Sequence, residues 1–151
     1  MTAPRRRIFL KGTVMAGVAA TMGGGMLARS LAADWPRNAF NADNVADALK
    51  AIYGTDSTND SNAITIKAPT ETANGATVLV SVSTTLANVD SIAIIVDDNP
   101  QPFVMRISLT GAEPYMSASV KVHKTSQIQG IVRSQGKLYR ATQIVRVVEG
   151  E

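Results

Sequence analysis

The sequence contains no cysteine. That absence excludes a disulfide, a thiolate metal site, a haem-attachment motif and a cysteine nucleophile together. Histidine is almost as scarce, since His123 stands alone; with no second imidazole or clustered acid, neither zinc nor copper finds a ligand set of the usual spacing, and no cofactor is expected. A long apolar run is missing too. The nearest approach is the stretch of 17 uncharged residues from Gly12 to Ala28, which includes Gly12, Gly17, Gly23, Gly24 and Gly25. A helix needs about 20 strongly apolar residues to span the hydrocarbon, so no stable membrane anchor is expected there.

That stretch belongs to a different pattern. It is preceded by Arg5, Arg6, Arg7, Ile8, Phe9, Leu10 and Lys11 and followed by Arg29, Ser30, Leu31, Ala32 and Ala33. Arg6, Arg7, Phe9, Leu10 and Lys11 fit the twin-arginine export motif, and the charged, apolar and small-residue regions follow in the order of a secretory signal. The reading is a twin-arginine signal peptide over 1–33, cleaved after Ala32 or Ala33, and delivery to the periplasm. The formal charge of +3 then misleads, because residues 1–33 hold five of the 15 Lys and Arg and none of the 12 Asp and Glu. The remaining chain is net −2, which removes the argument for nucleic-acid or anionic-membrane binding. Its roughly 118 residues suffice for one domain with its own core.

Residues 34–62 read as a lead-in. Asp34 to Ala42 shows no period. Val45, Ala48, Leu49 and Ile52 then fall at helical spacing, with Asn41 or Asp43 available as a cap and Gly54 as a stop, which predicts a short helix from about 43 to 53. Thr55 to Asn62 has no apolar member and reads as a solvated connection.

From Ala63 the period becomes two. Ile64 and Ile66 share a face; Asn74-Gly75 makes a turn; Val78, Val80 and Val82 repeat. Ile92 to Val96 is apolar on both faces and should be the most buried strand. Asn99 to Pro102 punctuates, then Phe103, Met105, Ile107 and Leu109 alternate with Arg106 and Ser108. Gly111 to Pro114 turns the chain. Met116, Ala118, Val120 and Val122 form the next set, Ile128, Ile131 and Val132 another with Gly130 read as a bulge, and Gln135-Gly136 starts the last turn before Leu138 to Val148. Seven strands of 4 to 11 residues with Gly, Pro and Asn turns predict an all-β, immunoglobulin-like antiparallel β-sandwich over 63–151, preceded by the short helix.

Few residues invite chemistry. Asp97 and Asp98 beside Asn99 have oxygen ligands for calcium, but adjacent carboxylates on a strand point to opposite faces, so a solvated turn is the expectation. His123 has no adjacent acid or nucleophile to make it a general base. Lys121, His123 and Lys124, or Arg133, Lys137 and Arg140, would form an oxyanion patch if they clustered, against the simpler expectation of a scattered solvated face. Exposed sandwich edges offer unpaired backbone groups to a partner.

Two places resemble a known family. Ile92 to Pro102, with its turn at Asn99 and Pro100, and Gly111, Ala112, Glu113, Pro114 and Tyr115, followed by Lys124-Thr125-Ser126 and Gly136-Lys137-Leu138-Tyr139, are similar to SoxY, the periplasmic carrier subunit of bacterial thiosulfate oxidation. The resemblance runs from about Asp43 to the end. It implies structural roles for Asn99, Pro100, Gly111, Glu113, Pro114 and Tyr115, no enzymatic activity, a heterodimer with a SoxZ-like domain, and encounters with Sox-type enzymes. It also implies a glycine-rich arm bearing a carrier cysteine after the last strand. Here Val147 and Val148 lead to Glu149, Gly150 and Glu151, and no residue matches that cysteine.

A thiolate bonds reversibly to another sulfur, and no other side chain supplies that exchange. Two glutamates near an approaching anion would add like-charge repulsion of about 1 kcal/mol even in water. The expectation is therefore a SoxY-like binding or scaffold subunit without covalent carriage. The alternatives are a truncated carrier product and a non-covalent oxyanion-binding sandwich.

Overall fold

Alternation along the sequence becomes two sheets packed face to face. The computed structural model describes residues 36–148, so the export-signal residues Arg6, Arg7, Phe9, Leu10 and Lys11 lie outside the described residues. Two helices, α1 (Arg37–Phe40) and α2 (Val45–Tyr53), precede nine strands: β1 (Asn59–Asp60), β2 (Ile64–Lys67), β3 (Glu71–Thr72), β4 (Val78–Thr84), β5 (Val89–Val96), β6 (Phe103–Ser108), β7 (Tyr115–Val120), β8 (Ser126–Ser134) and β9 (Lys137–Val147). The larger sheet has the order β1-β9-β8-β5-β6, with β3 also on β9; the smaller has the order β2-β4-β7. The seven longer strands pair antiparallel, as the periodicity predicts for an immunoglobulin-like sandwich.

β5 organises the core because it is apolar on both faces and lies between β8 and β6. Its Ile92, Ile94 and Val96 pack with Val78, Val80 and Val82 of β4, Met116 and Val120 of β7, and Ile128 and Val132 of β8. Its Ala93 and Ile95 pack on the opposite face with Ile131, Leu138, Phe103 and the helical residues Ala39, Ala48 and Leu49. The larger sheet is thus covered twice, by the smaller sheet and by the helices. Six consecutive buried residues in β5 follow from that double cover.

Several local expectations are corrected. Residues 34–42 read as irregular, yet Arg37–Phe40 makes a helical turn, and Phe40 meets the Phe103 ring edge-on at 4.7 Å. The α2 cap is Asn44 rather than Asn41 or Asp43: its side chain accepts from Asp47 N at 2.8 Å, while Gly54 stops the helix at φ 74°. Asn59 and Asp60, inside the expected solvated connection, run parallel to β9, and so do Glu71 and Thr72.

Gly130 is not a bulge. It pairs regularly with Ile94 and with Ala141; a side chain there would press on Val82 and Ile66 across the sandwich at 3.1 to 3.4 Å. Its hydrogen atom lets the two sheets close. The irregularities lie in β5 instead, between Ile94 and Ile95 against β6 and between Val89 and Ser91 against β8. Gln135 and Gly136, both at positive φ (50° and 75°), form the two-residue hairpin turn between β8 and β9.

One hydrogen bond ties the helical layer to the sheet. The Tyr53 hydroxyl lies 3.2 Å from Ser91 Oγ, with the Arg106 guanidinium 5.7 Å from the Tyr53 ring centre. Burial pushes the Tyr53 phenol above its usual value, against the opposing pull of Ser91, Arg106 and Arg133. Tyr53→Phe should cost about 1 to 2 kcal/mol, because it leaves the Ser91 hydroxyl buried without its partner. Urea unfolding of the two proteins measures it, and the double substitution Tyr53→Phe, Ser91→Ala should recover part of the loss.

Candidate functional site

Three loops converge where β9 leaves the sandwich. The turn after β5 is held by Val96 N donating to Pro102 O (2.9 Å), Asn99 N to Val96 O (3.3 Å) and Asp98 N to Ser126 Oγ (3.0 Å). From this turn the Asn99 side chain reaches the segment beyond β7: its Nδ2 donates to Lys121 O at 2.7 Å, and its Oδ1 accepts from His123 N at 3.0 Å. The amide thus replaces a neighbouring strand for Lys121 to His123. On that segment Val122 N donates to Gly75 O at 2.7 Å. The end of β9 is secured in turn, with Val147 N on Thr125 Oγ1 (3.0 Å), Arg146 N on Thr70 O (2.9 Å) and Val148 N on Thr72 O (2.9 Å).

The residues singled out from the sequence do not form one site. Asn99 and Pro100 precede β6, whereas Gly111, Glu113 and Pro114 follow it, so the six residues of that strand separate them by about 20 Å. The second turn uses Gly111 at φ 65°, Glu113 O accepting Tyr115 N at 2.8 Å, and Pro114 O accepting Thr84 N at 3.3 Å. Tyr115 opens β7 with its ring exposed and its hydroxyl 3.4 Å from Ser81 Oγ. Both turns are held by backbone hydrogen bonds.

The basic residues are dispersed and mostly matched. Lys124 lies 3.9 Å from Asp98 and Arg133 4.0 Å from Asp90, while Arg140 Nε and Nη2 each approach Asp60 Oδ1 at 2.9 Å. His123 is exposed. Among the described residues no group of three or more His, Cys, Asp or Glu is placed to hold a metal ion, and no helix is long and apolar enough to cross a membrane.

A polar cavity of about 700 Å³ lies beside the first turn, lined by residues of β1, β2, β8 and β9, by the segment joining β1 to β2 and by Asp97 just beyond β5. Its lining includes Arg140 with its partner Asp60, and Asp97, Gln127, Gln129 and Thr142. The Gln129 residue is 5 % exposed, and its Nε2 donates to Asp97 Oδ1 at 2.6 Å. Its Oε1 has no hydrogen-bond partner. Nothing in the sequence spacing marks this site, because its residues run from Asp60 to Thr142 and include no motif.

Burial raises the Asp97 carboxyl above its usual range; Gln129 opposes the rise, Asp98 adds to it and Arg140 counters it. A carboxyl that holds its proton more tightly when folded destabilises the native state once ionised. The stability it lends is therefore present at low pH and is lost as pH rises from the ordinary 3.8 through the raised value. Asp97→Asn keeps an acceptor for Gln129 and abolishes the titration. Its stability relative to the parent should rise across that interval and then level off, as unfolding free energies measured from pH 3 to 7 would show.

Comparison with known proteins gives this architecture a family. Residues 49–150 match the family described as "Sulfur oxidation protein SoxY", well over half of the chain. The chain belongs to the SoxY family. The solved structure of the sulfur carrier protein SoxY from Chlorobium limicola f thiosulfatophilum is 35% identical, with a TM-score of 0.65 over 75% of this chain and 99% of that one. Two structures of superoxide reductase (neelaredoxin) from Ignicoccus hospitalis, one of them a point variant, are 20% identical with TM-scores of 0.49. They cover 56% and 58% of this chain, and 79% and 81% of theirs. Curated proteins give no match. SoxY membership accounts for the sandwich, and it sharpens the chemical question, since none of the 151 residues is a cysteine.

Proposed function

We propose that this chain is a periplasmic, non-enzymatic SoxY-type subunit of a sulfur-compound oxidation system. In this reading it pairs with a SoxZ-type domain and holds no sulfur intermediate on a side chain of its own. The observation that carries it is a SoxY domain with no thiol in its 151 residues. The Chlorobium relative is a sulfur carrier protein. Reversible attachment of a sulfur species requires a thiolate, and neither serine nor any other side chain here exchanges with sulfur at neutral pH. What remains available is binding. The edge strands β6 and β7 each have a neighbour on one side only, and such edges recruit a further chain unless something covers them. Export through the twin-arginine route rests on Arg6, Arg7, Phe9, Leu10 and Lys11.

Two measurements test the parts separately. Co-expression with the SoxZ-type protein of the same organism should give one co-eluting heterodimer in size-exclusion chromatography, and two independently eluting monomers would refute pairing. Incubation with polysulfide should leave the intact mass unchanged; a gain reversed by dithiothreitol would refute the absence of carriage. The DNA beyond codon 151 bears on the same point. A Gly-Gly-Cys-Gly-Gly run in any frame there would return the chain to the carriers.

A further inference from the structure

The smaller sheet ends on an edge that the described chain leaves open. β7 pairs with β4 on one side and has no strand on the other. The ladder decides which of its backbone groups are free. Thr84 N donates to Pro114 O at 3.3 Å. Hydrogen-bonded positions alternate in an antiparallel pair, so Met116, Ala118 and Val120 turn their N–H and C=O groups to Val82, Val80 and Val78. Tyr115, Ser117, Ser119 and Lys121 therefore direct theirs outward. Two of these outward groups are satisfied within the chain: Tyr115 N donates to Glu113 O at 2.8 Å, and Lys121 O accepts from Asn99 Nδ2 at 2.7 Å. The Tyr115 C=O, the N–H and C=O of Ser117 and of Ser119, and the Lys121 N–H are left without a backbone partner among the described residues.

That set is its own complement about Ala118. With a second β7 laid antiparallel so that Ala118 faces Ala118, each Ser117 N–H meets a Ser119 C=O, each Ser117 C=O meets a Ser119 N–H, and each Tyr115 C=O meets a Lys121 N–H. The groups that fall opposite one another with no bond to make, Tyr115 N and Lys121 O, are those already engaged. The faces agree as well: buried Met116 lies beside buried Val120, and exposed Ser117 and Tyr115 lie beside exposed Ser119 and Lys121. A one-residue slip would set buried against exposed throughout. We propose that two copies of this chain pair their β7 strands about a two-fold axis at Ala118, joining the two smaller sheets into one. A two-fold interface demands a self-complementary patch. The β6 and β2 edges carry Arg106 and Lys67, side chains of the kind that blunt an edge, whereas Tyr115–Val120 has neither charge nor proline. Pairing through β7 leaves β6 open and does not rest on the SoxZ-type heterodimer.

The lack of cysteine gives the test a clean probe. In this register Ala118 faces its counterpart in a non-hydrogen-bonded pair with Cα atoms about 4.5 Å apart, inside the range a disulfide spans. The full chain carrying Ala118→Cys should form a disulfide-linked dimer under mild oxidation. Leu79→Cys, exposed but on the neighbouring strand β4, should stay largely unlinked. Light scattering on the parent should approach twice the monomer mass, with a dissociation constant of about 10 to 100 μM because one strand edge buries less than a standard interface. Ser117→Pro should return it to a monomer with unchanged circular dichroism, since this N–H takes no part in the ladder with β4. Should that variant unfold, Ser117→Lys with Ser119→Lys sets like charges side by side across the axis and should do the same; mixing it with Ser117→Glu, Ser119→Glu should restore a dimer of one copy of each. A parent that stays monomeric through about 1 mM, equal cross-linking at the two cysteine positions, or a dimer that survives in the folded strand variants overturns the proposal. If the parent is monomeric and the strand variants lose the SoxZ-type protein, the edge belongs to that heterodimer and the two-fold pairing is wrong.

Discussion

Replacing Ile94 by alanine is expected to lower the free energy of unfolding by about 4 kcal/mol. Ile94 is fully buried at the middle of β5, paired with Gly130 on one side and Met105 on the other. It faces the smaller sheet, and Val82 and Ile66 of that sheet lie so close to Gly130 that a Cβ there would meet them at 3.1 to 3.4 Å. Each sheet is held by its own ladder, so neither can sink into the space that three lost carbons leave. The full cavity cost should therefore appear. For a domain of this size each kcal/mol moves the melting temperature by about 4 °C, so a fall of about 15 °C is expected. The matched control is Ile144→Ala, where the side chain is 59% exposed and the change should stay within about 0.5 kcal/mol. Denaturant midpoints measured at unchanged slope check both. A loss below about 1 kcal/mol at Ile94 would mean that the sheets close over the gap and that the packing described between them is wrong.

The residues that matter most to this prediction were also the easiest to read. Ile92 to Val96 is apolar without interruption, and only a strand covered on both faces buries such a run. Val78, Val80 and Val82 show the complementary case, a strand with one face in the core and one outside. Both patterns are local, so the sequence displays them without help from the fold. β1 and β3 were illegible for the opposite reason. Asn59, Asp60, Glu71 and Thr72 carry no apolar pattern, and they become strands only because β9 offers its backbone, with Ser61 N on Arg140 O and Arg146 N on Thr70 O, both at 2.9 Å. Their partners lie some 75 to 80 residues along the chain.

The cavity was hidden in the same way. Gln129 looks like any polar residue of an alternating strand, and it is buried because β8 is flanked by β5 and β9 and because Asp97 lies against it. Its orphaned oxygen has no sequence signature. Asn99 stands between the two cases. Its turn was visible in Asn-Pro-Gln-Pro, but its use as a backbone surrogate for Lys121 to His123 depends on a contact 22 to 24 residues away.

Gly75→Ala should cost about 3 kcal/mol, an unusual penalty for a turn residue. Asn74-Gly75 reads as a turn, and glycine in such turns commonly supplies a left-handed conformation, yet Gly75 is not among the residues at positive φ. Glycine is required there by approach instead. A Cβ at this position would overlap the carbonyl oxygen of Val122 and crowd Val147 Cγ2. The Val122 oxygen is backbone and cannot swing aside, and Val122 N is itself bonded to Gly75 O. Relief must come from moving the 72–77 turn or the 121–123 segment. The second movement would strain the Asn99 amide, which holds that segment from its other side. The substitution should therefore loosen the whole end of the sandwich at which β9 exits, and amide exchange should rise at Val122, His123 and Val147 together while Ile92 to Ile95 stay protected. An unchanged unfolding midpoint with unchanged exchange at Val122 would show that the turn yields freely and that Gly75 is dispensable. If a SoxZ-type partner docks at this end, the same variant should also weaken the heterodimer; unaltered pairing would direct the search to the β6 and β7 edges.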